Sequence, residues 1–100
     1  MKQGDILVSS WGYEQTNVTF YEVVKATAKT VTVREVEQFR ADSGNMTGYV
    51  MPIKGCYKSA EMRRKVHSGR QYNDDDFIMI ESYEYARPWD GRKKGYTAYA

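Results

Sequence analysis

Two strongly β-forming runs separated by four residues constrain this chain more than any other feature. Val18 to Lys25 (Val-Thr-Phe-Tyr-Glu-Val-Val-Lys) holds no Gly or Pro. Thr30-Val31-Thr32-Val33-Arg34 alternates strictly, with Val31 and Val33 on one face. The connection between them, Ala26-Thr27-Ala28-Lys29, is short and polar. Two such runs with a short connection predict an antiparallel hairpin. The Val23-Val24 doublet breaks the alternation, so a bulge or a change of buried face is expected there. Composition points the same way. Leu7 is the single leucine, while the chain of 100 residues carries nine tyrosines. Its apolar content is therefore aromatic and β-branched, which suits strands better than helices.

At this length one domain, residues 1–100, is expected, with a modest core that removes roughly two-thirds of the unfolded surface from water. Before the hairpin, Gly4-Asp5 leads into Ile6-Leu7-Val8, three consecutive aliphatics that predict a short strand covered on both faces. Ser9-Ser10-Trp11-Gly12-Tyr13-Glu14-Gln15-Thr16-Asn17 then reads as an ordered loop, because Trp and Tyr bury large apolar area and are costly to leave dangling. After the hairpin, residues 35–40 extend the third strand, and Ala41-Asp42-Ser43-Gly44-Asn45 reads as a loop. A short strand at Thr47 to Met51 is expected to end at Pro52, which lacks the donor a central strand needs. Residues 53–61 show no period and read as loop, with at most one helical turn. Met62 to His67 fits a strand with Met62, Arg64 and Val66 on one face, or the end of a short helix. Ser68 to Asp76 is an exposed polar loop. Phe77 to Ala86 reads as the longest strand, with Tyr83 and Tyr85 on one face, stopped by Pro88 and the Asp90-Gly91 turn. The tail from Arg92 to Ala100 either forms a last short strand or frays.

Five or six strands, little helix and only two prolines make an all-β fold the expectation, a small antiparallel barrel or a strongly bent sheet. Closure hides sheet edges that would otherwise template aggregation. The opening Gly-Asp-Ile, the long loop and the twisted hairpin resemble the layout of SH3-like barrels, a likeness of layout that assigns no function.

The formal charge of +2 is unevenly divided. Residues 1–50 carry five basic and six acidic side chains, residues 51–100 ten and seven. Such a mild excess permits attraction to a polyanion and falls far short of a dedicated basic binder. Cys56 stands alone, which excludes an internal disulfide and a Cys-x-x-Cys metal pair and suits a reducing compartment. The N-terminus lacks the apolar stretch of a signal peptide, and no run approaches the ~18 apolar residues of a membrane helix. A cytoplasmic protein without membrane partner is expected. The glycosylation sequons at Asn17 and Asn45 are then idle.

Two constellations carry the binding argument. In the aromatic loop, Trp11 and Tyr13 suit a partner-facing anchor, with Gln15 and Asn17 as polar contacts. The structural alternative, favoured by the shortage of leucine, closes one barrel end with Trp11 and spends the amides on backbone groups. In the second half, Arg63, Arg64, Lys65, Arg70, Arg92, Lys93 and Lys94 interleave with Tyr72, Tyr96 and Tyr99. That pattern fits a phosphate-tracking surface with stacking platforms, against the alternative of a solvated charged face. Asp74-Asp75-Asp76 lacks the alternating ligands of a calcium loop and reads as solvated, so no metal or cofactor is expected. His67 and Cys56 have no orienting third group, which argues against an enzyme.

The run from Gly4-Asp5-Ile6 through Ser10-Trp11-Gly12-Tyr13-Glu14-Gln15-Thr16-Asn17 to Phe20-Tyr21, with Trp89-Asp90-Gly91 near the end, resembles a group of small proteins carried by phages and other mobile elements of bacteria. The resemblance carries over no catalytic or binding residue. It implies a bacterial cytosol during phage growth or element transfer, where common tasks are binding nucleic acid or blocking a host defence. The expectation is a monomeric or weakly dimeric binding module for nucleic acid. Its rivals are a protein-protein inhibitor of a host defence, anchored on the aromatic loop, and a small structural component of a virion.

Overall fold

The computed structural model describes residues 1–11, 17–44, 47–68, 76–91 and 94–97, with residues 42–44, 47 and 94–97 described by their backbone alone. Eight strands occur among them: β1 (Ile6–Trp11), β2 (Asn17–Ala26), β3 (Thr30–Gly44), β4 (Thr47–Tyr57), β5 (Met62–His67), β6 (Phe77–Glu81), β7 (Glu84–Pro88) and β8 (Lys94–Thr97). No helix occurs among the described residues. The sheet runs β2-β1-β7-β6-β5-β3-β4-β8, and β2 also pairs with β3. That extra pairing closes β2, β1, β7, β6, β5 and β3 into a six-stranded antiparallel barrel, the all-β architecture expected from the sequence.

The β2–β3 hairpin closes the ring. Val23 lies opposite Val33 and Ala26 opposite Val31, and the register slips between Val23 and Lys25, at the predicted bulge. Thr27 N–H donates to the Thr30 carbonyl at 2.8 Å, and the two threonine hydroxyls lie 2.6 Å apart, tying off the turn. Inside the barrel Leu7, Tyr21, Val23, Val31, Val33, Ile78, Ile80 and Ala86 form the main core.

A second core lies outside the ring. β3 is 15 residues long, and only its first half is needed for the barrel. The second half leaves the ring and pairs with β4, which in turn pairs with β8. This outer layer brings Val36 and Val50 down on Val8, Val18 and Phe20 of the β1–β2 wall, with Ile6 and Trp89 at the margin. Leu7 therefore faces inward and Val8 outward, yet both are buried, as the aliphatic triplet implied. Where β3 leaves β2, the Gln38 amide Nε2 donates to the Val18 carbonyl at 3.0 Å and stands in for the missing ladder bond.

Several boundaries differ from the sequence reading. Ser9, Ser10 and Trp11, expected in the aromatic loop, continue β1, and Asn17 opens β2 opposite Trp11. Ala41 to Gly44 is strand, held by pairing with β4. Pro52 does not end β4, because beyond Val50 the described residues place a neighbour on one side of β4 only, and an edge strand tolerates a missing donor. Residues 53–57 are strand too. Gln38 lies opposite Pro52 and Val36 opposite Tyr57, so residues 53–56 bulge out against a single residue of β3. Gly55, with φ of 84°, supplies the left-handed turn. The bulge is anchored on the buried Glu22 carboxylate, which accepts from Gly55 N–H and from the Tyr57 hydroxyl, both at 3.0 Å. Arg34 lies 4.1 Å above the Tyr57 ring and donates to the Ser59 carbonyl.

Phe77 to Ala86 is not one strand. A turn at Ser82-Tyr83 folds it into the β6–β7 hairpin with Glu81 opposite Glu84, which is how the ring gains its sixth member. Of the alternatives left open, Met62 to His67 is strand and Lys94 to Thr97 forms a final strand against β4. Most of the Ser68 to Asp76 loop lies outside the described residues.

Candidate nucleic-acid interface

Strand alternation sorts β5, β6 and β7 into an inner face of Met62, Val66, Ile78 and Ala86 and an outer face that no second layer covers among the described residues. On that outer face His67 lies opposite Phe77, and Met79 opposite Tyr85. The rings form a row. His67 stacks on Phe77 with centroids 5.3 Å apart and planes inclined by 20°. Phe77 meets Tyr85 edge-on at 5.9 Å, and the Arg87 guanidinium lies 5.9 Å from the Tyr85 centroid. Tyr85 is 48% exposed and Arg87 is exposed.

Arg63 and Lys65 share this face, being at even spacing from His67 on β5, and both are exposed. None of Arg63, Lys65 and Arg87 is in an ion pair among the described residues; the ion pair seen there is Lys58 with Glu35, at 3.4 Å. Arg64 has the opposite orientation. It donates to the Arg63 carbonyl at 2.9 Å and to the Ile80 carbonyl at 3.5 Å, so its guanidinium is spent on backbone. At its β7–β1 margin the row ends in a small cleft of about 40 Å³ lined by Val8, Ser10, Tyr85 and Arg87.

Behind the wall, inside the barrel, the buried Glu84 carboxylate accepts from the Ser9 hydroxyl at 2.5 Å and the Tyr21 hydroxyl at 2.7 Å through one oxygen. Burial, reinforced by the Glu84 carboxylate, pushes the Tyr21 phenol well above its ordinary value. Trp11 is half-buried beside this network. Its indole N–H donates to the Thr19 hydroxyl at 3.4 Å, and its ring lies 5.7 Å from that of Tyr83. Trp11 thus packs on Tyr83 and Thr19. Asn17 is half-buried on β2, and the Lys94 backbone pairs with Val50. Tyr13, Gln15, Arg70, Tyr72, Arg92 and Lys93 lie outside the described residues, as do Tyr99, Asp74 and Asp75.

The residues of the row other than His67 and Tyr85 drew no attention in the sequence. The signal for them is alternation: Phe77-x-Met79 before the turn and Tyr85-x-Arg87 after it place one apolar-aromatic face outward, once the hairpin is known. His67 belongs to this row, while Cys56 is exposed on the β4 bulge. A second exposed surface lies on the outer layer, where Phe39 opposite Met51, and Ala41 opposite Tyr49, share a face with Ile53. Among the described residues no three His, Cys, Asp or Glu side chains converge as for a metal, and no helix is long and apolar enough to cross a membrane. No protein-family model, curated protein or solved structure matches the chain.

Proposed function

We propose that this protein is a small binding module for single-stranded nucleic acid and that the strand lies across the β5–β6–β7 wall. The carrying observation is the row of His67, Phe77, Tyr85 and Arg87, flanked on the same face by Arg63 and Lys65, which are in no ion pair among the described residues. Bases stack on exposed rings with little regard for sequence, and neighbouring cations follow the phosphates. A duplex offers its bases only along the grooves, so a row of rings favours unpaired bases. In the setting the phage resemblance implies, such a module would hold single strands exposed during replication or transfer.

The test is fluorescence anisotropy of labelled DNA and RNA oligonucleotides, single- and double-stranded, from about 50 to 200 mM salt. Saturable binding of the single strands is expected. With three cations involved, the slope of log K on log salt should be about −2, from roughly −0.7 per neutralised phosphate. Absence of saturation at the lowest salt overturns the reading. In that event a protein partner takes its place. The observation favouring one is the apolar outer-layer face, on which Phe39 is 62% exposed. Trp11 is the weaker anchor for such a partner, since its indole is already engaged with Thr19 and Tyr83.

A further inference from the structure

We infer that the cleft between β7 and β1 receives the terminal phosphate of the bound strand, so that the module reads strand ends; this rests on the wall being the single-strand platform. The cleft lies where the ring row stops. Arg87 is two residues beyond Tyr85 on β7 and lies opposite Val8 of β1. Across that line the barrel wall changes character. Val8 is 6% exposed and Phe20 is 0% exposed, because Val36 and Val50 of the outer layer cover them. A strand crossing from β5 toward β1 therefore meets the flank of a second layer. Among the described residues no further exposed ring of the β1–β2 wall offers the next base a platform.

What the cleft offers is suited to phosphate. It is lined by Arg87, which carries a guanidinium, by Ser10 and Tyr85, which carry hydroxyls, and by Val8, and no carboxylate residue lines it. Arg87 is in no ion pair among the described residues, whereas Glu84, its neighbour on β7, is turned to the interior and held by Ser9 and Tyr21. The volume of about 40 Å³ exceeds by roughly three- to fourfold the ~10–15 Å³ that admits one water, and the open mouth accommodates the rest of a phosphate head. A guanidinium binds phosphate through two parallel N–H donors. A terminal monoester carries a second negative charge and one more free oxygen than the diester of an internal link, so this site distinguishes an end from a continuous strand.

The experiment compares short single strands ending in hydroxyl, 5′-phosphate or 3′-phosphate, and a circular single strand, on the full chain and on R87Q, R87K and S10A. One of the two phosphorylated ends should bind about 10- to 100-fold tighter than the hydroxyl-ended strand, the worth of charge-assisted hydrogen bonds at one phosphate. The circle should bind no better than the hydroxyl-ended strand. R87Q should weaken all strands and bring the ratio of phosphorylated to hydroxyl-ended affinity close to one. R87K should retain part of the ratio, as a point charge without the fork, and S10A should lower it less than R87Q. Equal affinity for phosphorylated and hydroxyl ends, tighter binding of the circle, or a ratio that survives R87Q overturns the proposal while leaving the platform standing. Failure of every strand to saturate the unaltered protein at low salt removes the platform itself.

Discussion

The two outer walls of this barrel obey the same alternation and meet opposite fates. On the β1–β2 wall, Val8, Val18 and Phe20 face outward and are buried under Val36 and Val50, with Trp89 set edge-on to Phe20 at 5.8 Å and 77°. On the β5–β6–β7 wall, Phe77, Tyr85 and Arg87 face outward, and no second layer covers them among the described residues. The difference originates in β3, whose 15 residues exceed what the ring uses, so that the surplus folds back over one wall and not the other. The covered wall is mainly apolar, with the Glu22 carboxylate taken up by the β4 bulge, and acts as a second core. The open wall mixes rings with cations, which is tolerable in water and useful to an anionic, flat-faced ligand.

The sharpest way to break that distinction is to truncate one ring on each wall. Phe20→Ala should cost about 3–5 kcal/mol of stability in urea unfolding, because Phe20 is fully enclosed and leaves a cavity between two layers. A loss below about 1 kcal/mol would mean that the outer layer is not a working core. Tyr85→Ala should cost little stability, since the ring is 48% exposed. Its effect should fall on binding, about 1–3 kcal/mol of oligonucleotide affinity in anisotropy titrations, or roughly 5- to 150-fold. Combining it with Phe77→Ala should deepen the loss. Unchanged affinity in the double variant would remove the open wall from function.

How much of this contrast was readable beforehand depends on which link carries it. The β2–β3 hairpin and its slip at Val23 were legible because propensity, alternation and connection length agree locally. Ile6-Leu7-Val8 also announced burial on two faces. The second layer was not legible. Pro52 and the aperiodic residues 53–57 suggested that the strand stops, whereas the real constraint is tertiary: Glu22 of β2 accepts two hydrogen bonds from this bulge and holds it in place. The open wall was hidden for a related reason. Ser82-Tyr83 carries none of the Gly, Asn or Pro that mark a tight turn, so β6 and β7 read as one strand. The cluster Arg63-Arg64-Lys65 looked like one basic group, but strand alternation divides it, sending Arg64 to backbone carbonyls and the other two to the wall.

The walls are tied together at their backs, where Tyr21 of β2 and Ser9 of β1 donate to Glu84 of β7. This gives a pH dependence that touches both. The folded phenol of Tyr21 titrates well above its ordinary value, chiefly because it is buried and then because Glu84 is adjacent. The unfolded chain therefore loses this proton first. Stability is fully present below about pH 10 and falls as pH rises past it, at up to about 1.4 kcal/mol per pH unit until the folded phenol ionises. Tyr57, also raised, first by its hydrogen bond to Glu22, adds in the same direction. Urea midpoints measured from pH 8 upward should decline beyond pH 10, and Tyr21→Phe should flatten the decline. An equal decline in that variant would place the titrating group elsewhere.

The smallest expected effect is the most discriminating. Phe39 and Met51 are cross-strand neighbours on the far side of the outer layer, exposed and apolar. They resemble the open wall in ring content and differ in charge: among the described side chains on their own face there is no cation, the paired positions being Ala41 with Tyr49 and Glu37 lying two residues before Phe39. If the pairing of rings with cations is what makes a wall bind, then Phe39→Ser with Met51→Ser should leave oligonucleotide affinity unchanged. Stability should move by about 0.5 kcal/mol or less, as for exposed positions. Anisotropy and urea titrations on this variant and on Tyr85→Ala decide the matter together. A loss of affinity matching that of Tyr85→Ala would mean that exposed apolar area alone recruits the strand and that Arg63, Lys65 and Arg87 are incidental. An unchanged affinity, beside a large loss on the open wall, ties binding to the wall on which rings and cations coincide.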